Sequence, residues 1–320
     1  MHNPELFRVA RRLAQDNVQL QPGERVCVVT DTEKLMLAEV IADVASTFDT
    51  DPVVVVMAPR AQHGREVPEV IAAAMEQADV VFQVVTHAMT HTDATQRALN
   101  AGGRVLVLRG VTEDLMLYGA INADYQQIAA RCAQLRQWLN DADHVNLRTP
   151  QGTELAMSLA GRQAKALDGI VKGPGTFAAM PDGETAISPV EGSTEGTLVI
   201  ENSMDGLGLL DEPIRMRVVT GRVVSIEGGS SAGQLQRLVD AADDHATNIA
   251  EFAIGTNPNA RLIGNMAEDK KLEGSVHIAL GDNHVIGGTV KSEIHLDGLL
   301  LNPMVELDGK VVVESGRLLL

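Results

Sequence analysis

Apolar positions in the first half of the chain come in short unbroken runs. Residues 24–31 (ERVCVVTD) form one, and DPVVVVMAP, DVVFQVVTH and GRVLVLRG form three more. Between them stand stretches with helical spacing: residues 32–48, VPEVIAAAMEQA, ATQRALNAG and TEDLMLYGA. Unbroken Val-rich runs are what strands buried on both faces show, and their alternation with helices predicts a parallel sheet inside a three-layer α/β domain. A further helix, YQQIAARCAQLRQWLNDA, closes this domain, which is expected to span residues 1–142. His87 and His91 fall at the end of one predicted strand, where Thr92 or Asp93 is expected to cap the next helix. No GxGxxG follows the first strand, so no dinucleotide fingerprint is present.

Beyond residue 143 the pattern changes to period-two alternation broken by Gly and Pro, as in HVNLRTPQGTELAMSLAG and GTLVIENS. IRMRVVTGRVVSIEGG reads as a hairpin with its turn at VTGR. One helix, SAGQLQRLVDAADDHATN, interrupts the strands. Residues 143–320 are therefore expected to form an α+β domain with an antiparallel sheet.

Composition narrows the function classes. Of 320 residues 45% are apolar and 22% charged, which is ordinary for a globular protein, while only 2% are aromatic, so the core must be aliphatic. A net charge of −17 argues against a nucleic-acid partner, which needs clustered Lys and Arg, and favours a cationic or amine-bearing ligand. Cys27 and Cys132 lie far apart and outside any metal-binding spacing, which points to a reduced compartment. The N-terminal MHNPELFRVARRLAQDN reads as a charged amphipathic helix, not a signal peptide, and no apolar run reaches membrane-spanning length. A cytoplasmic enzyme with a small-molecule or peptide substrate, and no membrane partner, is the expectation. A serine hydrolase is disfavoured, because no Gly-x-Ser-x-Gly elbow occurs.

Candidate chemistry concentrates in residues 275–298. In SVHIAL, Val276, Ile278 and Leu280 alternate with Ser275, His277 and Ala279; in SEIHLDG, Ile294 and Leu296 alternate with Glu293, His295 and Asp297. Period two puts His295 and Asp297 on one face of a strand. A turn centred near Ile286 would set His277 directly opposite His295, with both apolar faces on one side. The result is the two-histidine, one-carboxylate pattern that binds Fe(II), Zn(II) and similar ions; the alternative is a polar, wet hairpin face. Glu251 sits in the apolar run NIAEFAIGTNP, where a buried carboxylate must be paired, protonated or metal-bound. Glu184, in MPDGETAISP, has no special status from its surroundings alone.

MPDGETAISP, AEFAIGTNP, VHIALGDN and SEIHLDG occur in the order and rough spacing seen in the metallo-aminopeptidase family of aminopeptidase T and aminopeptidase S, and LQPGERVCVVTD and THAMTHTDATQRALNAGGRV also resemble that family. The resemblance implies a two-metal hydrolase. Glu184, Glu251, His277, His295 and Asp297 would be the ligands, holding two divalent ions, Zn or Co, with a bridging water that attacks a peptide or amide bond. It also implies a homodimer. The family's tyrosine after Ala-x-Gly is replaced by His284, which could donate a hydrogen bond to the reacting group in its place. An acidic segment of the family is absent, with KKLEG standing there.

The same superfamily includes proteins resembling 2,5-dihydroxypyridine 5,6-dioxygenase, which cleave an aromatic ring at one Fe(II). In that alternative His277, His295 and Asp297 suffice as ligands, and Glu184 and Glu251 become their supports or substrate contacts. A third reading is a non-catalytic binding protein with a decayed metal site.

Overall fold

The Val-rich runs become parallel strands because none of them has a polar face to offer solvent. The computed structural model describes residues 3–320. Its first sheet has five parallel strands in the order Val53–Met57, Val26–Asp31, Val80–Val85, Arg104–Arg109, Phe177–Met180. Cys27, Val29, Val81, Val85, Val105 and Val107 pack with Ile71 and Met75 of helix Glu69–Glu76 and Ala98 and Leu99 of helix Asp93–Asn100. The alternate residues Val28, Phe82, Leu106 and Leu108 are also buried, as a sheet covered on both faces requires. Thr92 caps the Asp93–Asn100 helix as expected, its side chain accepting from Thr95 N. The N-terminal helix runs Pro4–Arg12, with Asn3 as its cap; the first two residues of the expected segment lie outside those described.

The chain divides into two units, Met1–Gln126 with Gly169–Asp182, and Gln127–Asp168 with Gly183–Leu320. The expected boundary at 142/143 therefore shifts, for two physical reasons. Helix Tyr125–Asp141 inserts Leu135 and Leu139 into the core of the second unit, so most of it belongs there. The chain then returns to add the Phe177–Met180 strand to the parallel sheet.

The second unit packs two antiparallel sheets. An eight-stranded sheet runs from Arg222–Glu227 to Arg317–Leu318, and the Ile214–Val219/Arg222–Glu227 hairpin turns at Thr220–Gly221, both with positive φ, as a type I′ turn needs. A seven-stranded sheet carries Lys165–Leu167, Glu184–Ile187, Ile249–Gly255, Val276–Gly281 and His295–Leu300 as consecutive neighbours. One face of the latter is apolar: Ile187, Phe252, Ile254, Val276, Ile278, Leu280 and Leu300 share a core with Val145, Leu147, Leu198, Ile200 and Met216 of the larger sheet. The other face carries the polar residues. Among the described residues no helix is long and apolar enough to cross a membrane, and both cysteines are free and buried.

Candidate metal centre

Directly opposed residues of antiparallel strands share a face, and register therefore assembles the site. Gly255 opposes Glu184, Ala253 opposes His277, and Ala279 is flanked by Glu251 and Asp297. Gly281 opposes His295. Glu184, Glu251, His277, His295 and Asp297 thus stand on one face of four adjacent strands. The residues between them on that face are small: Ala186, Ala253, Gly255, Ala279 and Gly281.

Two local features aim the ligands. A β-bulge between Ile249 and Glu251 inserts Ala250, so Ile249 faces the core and Glu251 the site, although residues two apart in a regular strand would face the same way. The expected register does not hold: His277 opposes Leu299, not His295. The connection is not a tight turn but a long loop, in which Asn283 donates to Ser188 and Glu191 and accepts from Val290 N. The slip is an even number of residues, so the three side chains still share a face.

Distances bring the five together. His277 Nε2 is 3.1 Å from Glu251 Oε1 and 3.8 Å from Asp297 Oδ1; His295 Nε2 is 3.3 Å from Glu251 Oε2 and 3.2 Å from Asp297 Oδ1. Donor atoms at right angles around one ion, each about 2.1 Å from it, stand roughly 3 Å apart. Two groups with metal-ligand spacing result: Glu184, Glu251 and His277, and Glu251, His295 and Asp297. Glu184 Oε2, His277 Nδ1 and Asp297 Oδ1 are buried atoms with no hydrogen-bond partner, a costly state that a cation would relieve. The donor set fits a divalent ion.

Electrostatics agree. Burial alone would raise the Glu251 and Asp297 carboxyls, but His277 and His295 hold Glu251 below its usual range, and Lys270 with the same histidines holds Asp297 well below its own. Burial would lower His295, yet the close negative carboxylates of Asp297 and Glu251 raise it well above its ordinary value. Its Nδ1 lies 2.7 Å from the Asp282 carbonyl, which only accepts, so Nδ1 carries a proton and Nε2 turns inward.

Sequence reasoning passed over three members of the site. Lys270 Nζ donates to Asp297 Oδ2 at 2.6 Å and lies 3.8 Å from Glu184 Oε1; Lys271 Nζ lies 2.7 Å from Glu184 Oε1. Burial would lower Lys270, but Asp297, Glu184 and Glu251 raise it well above its ordinary value. Asp205, pushed up to about 6 by burial and by the charge of Asp297, accepts from Asp297 N. The signal for the lysines was the KKLEG segment, which read only as a missing acidic stretch. His284 is not among the grouped ligands: it sits exposed on the 3₁₀ turn His284–Ile286, its backbone N bonded to Asp282 Oδ1.

A family model described as 2,5-dihydroxypyridine 5,6-dioxygenase matches residues 9–320. A 2,5-dihydroxypyridine 5,6-dioxygenase of Pseudomonas putida is 27% identical over 256 residues, covering 76% of this chain and 71% of that protein. The solved 2,5-dihydroxypyridine dioxygenase of Pseudomonas putida KT2440 superposes with a TM-score of 0.83 at 20% identity, covering 100% of this chain and 98% of that one. Wild-type AmpT from Thermus thermophilus superposes with a TM-score of 0.75 at 18% identity, covering 99% of both chains. At those identities the two structures speak to the fold, which they share with this chain.

Proposed function

The chain belongs to the 2,5-dihydroxypyridine 5,6-dioxygenase family, and on that premise we propose that it is a mononuclear Fe(II) oxygenase that opens a dihydroxypyridine-like ring with O₂. The aminopeptidase-type hydrolase expected first from the sequence gives way to the oxygenase alternative, because the matching family and the curated relative both carry the dioxygenase name. The AmpT likeness accounts for the aminopeptidase resemblance at the level of fold.

The observation that carries this reading is Asp297 Oδ1. It is buried without a hydrogen-bond partner and stands 3.2 and 3.8 Å from the Nε2 atoms of His295 and His277. Two imidazoles and one carboxylate are the set non-haem Fe(II) oxygenases use; when bound, a ferrous ion would supply the electron chemistry that lets O₂ react with the ring.

The chain's own residues set the rest. The Asp282 carbonyl fixes the His295 tautomer, and its ring cannot rotate without losing that bond. His277 turns Nε2 toward Asp297 and leaves Nδ1 facing Glu184 Oε2 at 3.9 Å, so Glu184 places its negative charge behind the ring. Glu251 spans both imidazoles and neutralises positive charge there. The His295 side chain is 30% exposed while the others are nearly closed off, so substrate enters along its edge.

The test is paired. After anaerobic loading with Fe(II), the protein should consume O₂ when given 2,5-dihydroxypyridine and release nothing from aminoacyl-anilides with Zn(II) or Co(II). Anilide hydrolysis without O₂ uptake would restore the hydrolase.

A further inference from the structure

The five-ligand face has two metal-ligand groups that share Glu251, yet the proposed chemistry needs one ion. We propose that Lys270 limits the cluster to a single divalent ion by placing its ammonium where a second would sit. The inference rests on the metal-binding reading above and deepens it. Lys270 Nζ bridges one carboxylate from each group, 2.6 Å from Asp297 Oδ2 and 3.8 Å from Glu184 Oε1. Lys271 occupies Glu184 Oε1 from another side at 2.7 Å. With Asp205 beside Asp297, four carboxylates facing two ammoniums carry two net negative charges, which one divalent ion already balances. A second ion, held by Glu184, Glu251 and His277, would have to share the Glu184 carboxylate with two like charges, Lys271 at 2.7 Å and Lys270 at 3.8 Å.

The lysine is held there by construction. It follows the short helix Met266–Asp269, capped by Asn265, whose two acids are fully buried and turned away from the site. Asp269 accepts from Ile263 N, Gly264 N and Ser203 Oγ, and Glu268 from Arg261. Asn257 N donates to the Lys271 carbonyl. Acids anchored outward and bases directed inward leave Lys270 little freedom to withdraw.

Equilibrium dialysis against Co(II), followed by elemental analysis, tests this without reference to turnover. The wild-type chain should retain one ion. Lys270→Met, similar in length but uncharged, should retain two, and Lys270→Arg one. Lys270→Glu serves if the methionine variant misfolds, and it too should retain two. One ion in folded Lys270→Met or Lys270→Glu overturns the lysine's role and leaves the mononuclear site standing. Two ions in the wild type overturn both, and none in the wild type overturns the metal-binding reading on which the inference depends.

Discussion

Each buried charge at the centre has a named partner, and removing different ones should have separable effects. Asp297 answers both histidines and Lys270. Asp297→Ala should abolish metal binding. It should also destabilise the metal-free protein by about 3 kcal/mol in chemical denaturation, since it strips a buried ammonium of its nearest counter-charge. Glu184 faces His277 from behind and is itself neutralised by Lys271. Glu184→Gln should therefore keep one ion while weakening its affinity by roughly 10–100-fold, as loss of an orienting partner does. Equal loss of metal in both variants would make Glu184 a ligand in its own right. The five clustered residues were not equally legible. The shared face of His295 and Asp297 with His277 follows from alternation, and the buried carboxylate of Glu251 from its apolar neighbours, whereas Glu184 stood out only through family resemblance. Lys270 and Lys271 point inward because Glu268 and Asp269 are anchored elsewhere, a tertiary fact that no local pattern carries.

Strand pairing and one loop translate those residues into a site. Period-two reading succeeded despite the wrong register because an even slip preserves faces; an odd slip would have sent His295 and Asp297 into the core. It could not foresee the bulge at Ala250, which reverses the face of Glu251 relative to Ile249. Gly281 is confined by geometry: at φ +101 a Cβ would meet Ile294 O at 2.1 Å, so only glycine lets the strand pass beside His295. The loop between the two histidine strands is pinned by Glu191. Burial would raise that carboxyl, but Thr289 N, the Asn283 amide and Arg162 hold it at about 2, against an ordinary 4.5. A depressed carboxylate favours the folded state above its unfolded value and loses that advantage as pH falls toward the folded one. Glu191→Gln should thus flatten the drop in stability between pH 4.5 and pH 2 by about 1–2 kcal/mol, allowing for its partial exposure. Denaturant midpoints that fall with acid as steeply as in the wild type would refute this role.

For the molecule as a whole, composition and pattern sufficed for the fold class: a parallel α/β sheet and then antiparallel sheets. They misplaced the division between the units, because a helix continuous in sequence with the first domain lends its apolar side to the second core, and a later strand returns. The net charge of −17 describes the whole surface and gave no hint of two ammoniums inside the site. Resemblance to aminopeptidases was sound for architecture, while the matching family favours the oxygenase alternative for chemistry; a shared fold does not by itself fix the reaction. The claim on which the rest depends is that this face directs O₂, not water, into its substrate. Turnover of 2,5-dihydroxypyridine by the Fe(II)-loaded protein under ¹⁸O₂, with the product read by mass spectrometry, tests it most directly. The account predicts a ring-opened product carrying both atoms of the labelled gas; a product whose new oxygen comes only from solvent water would contradict it.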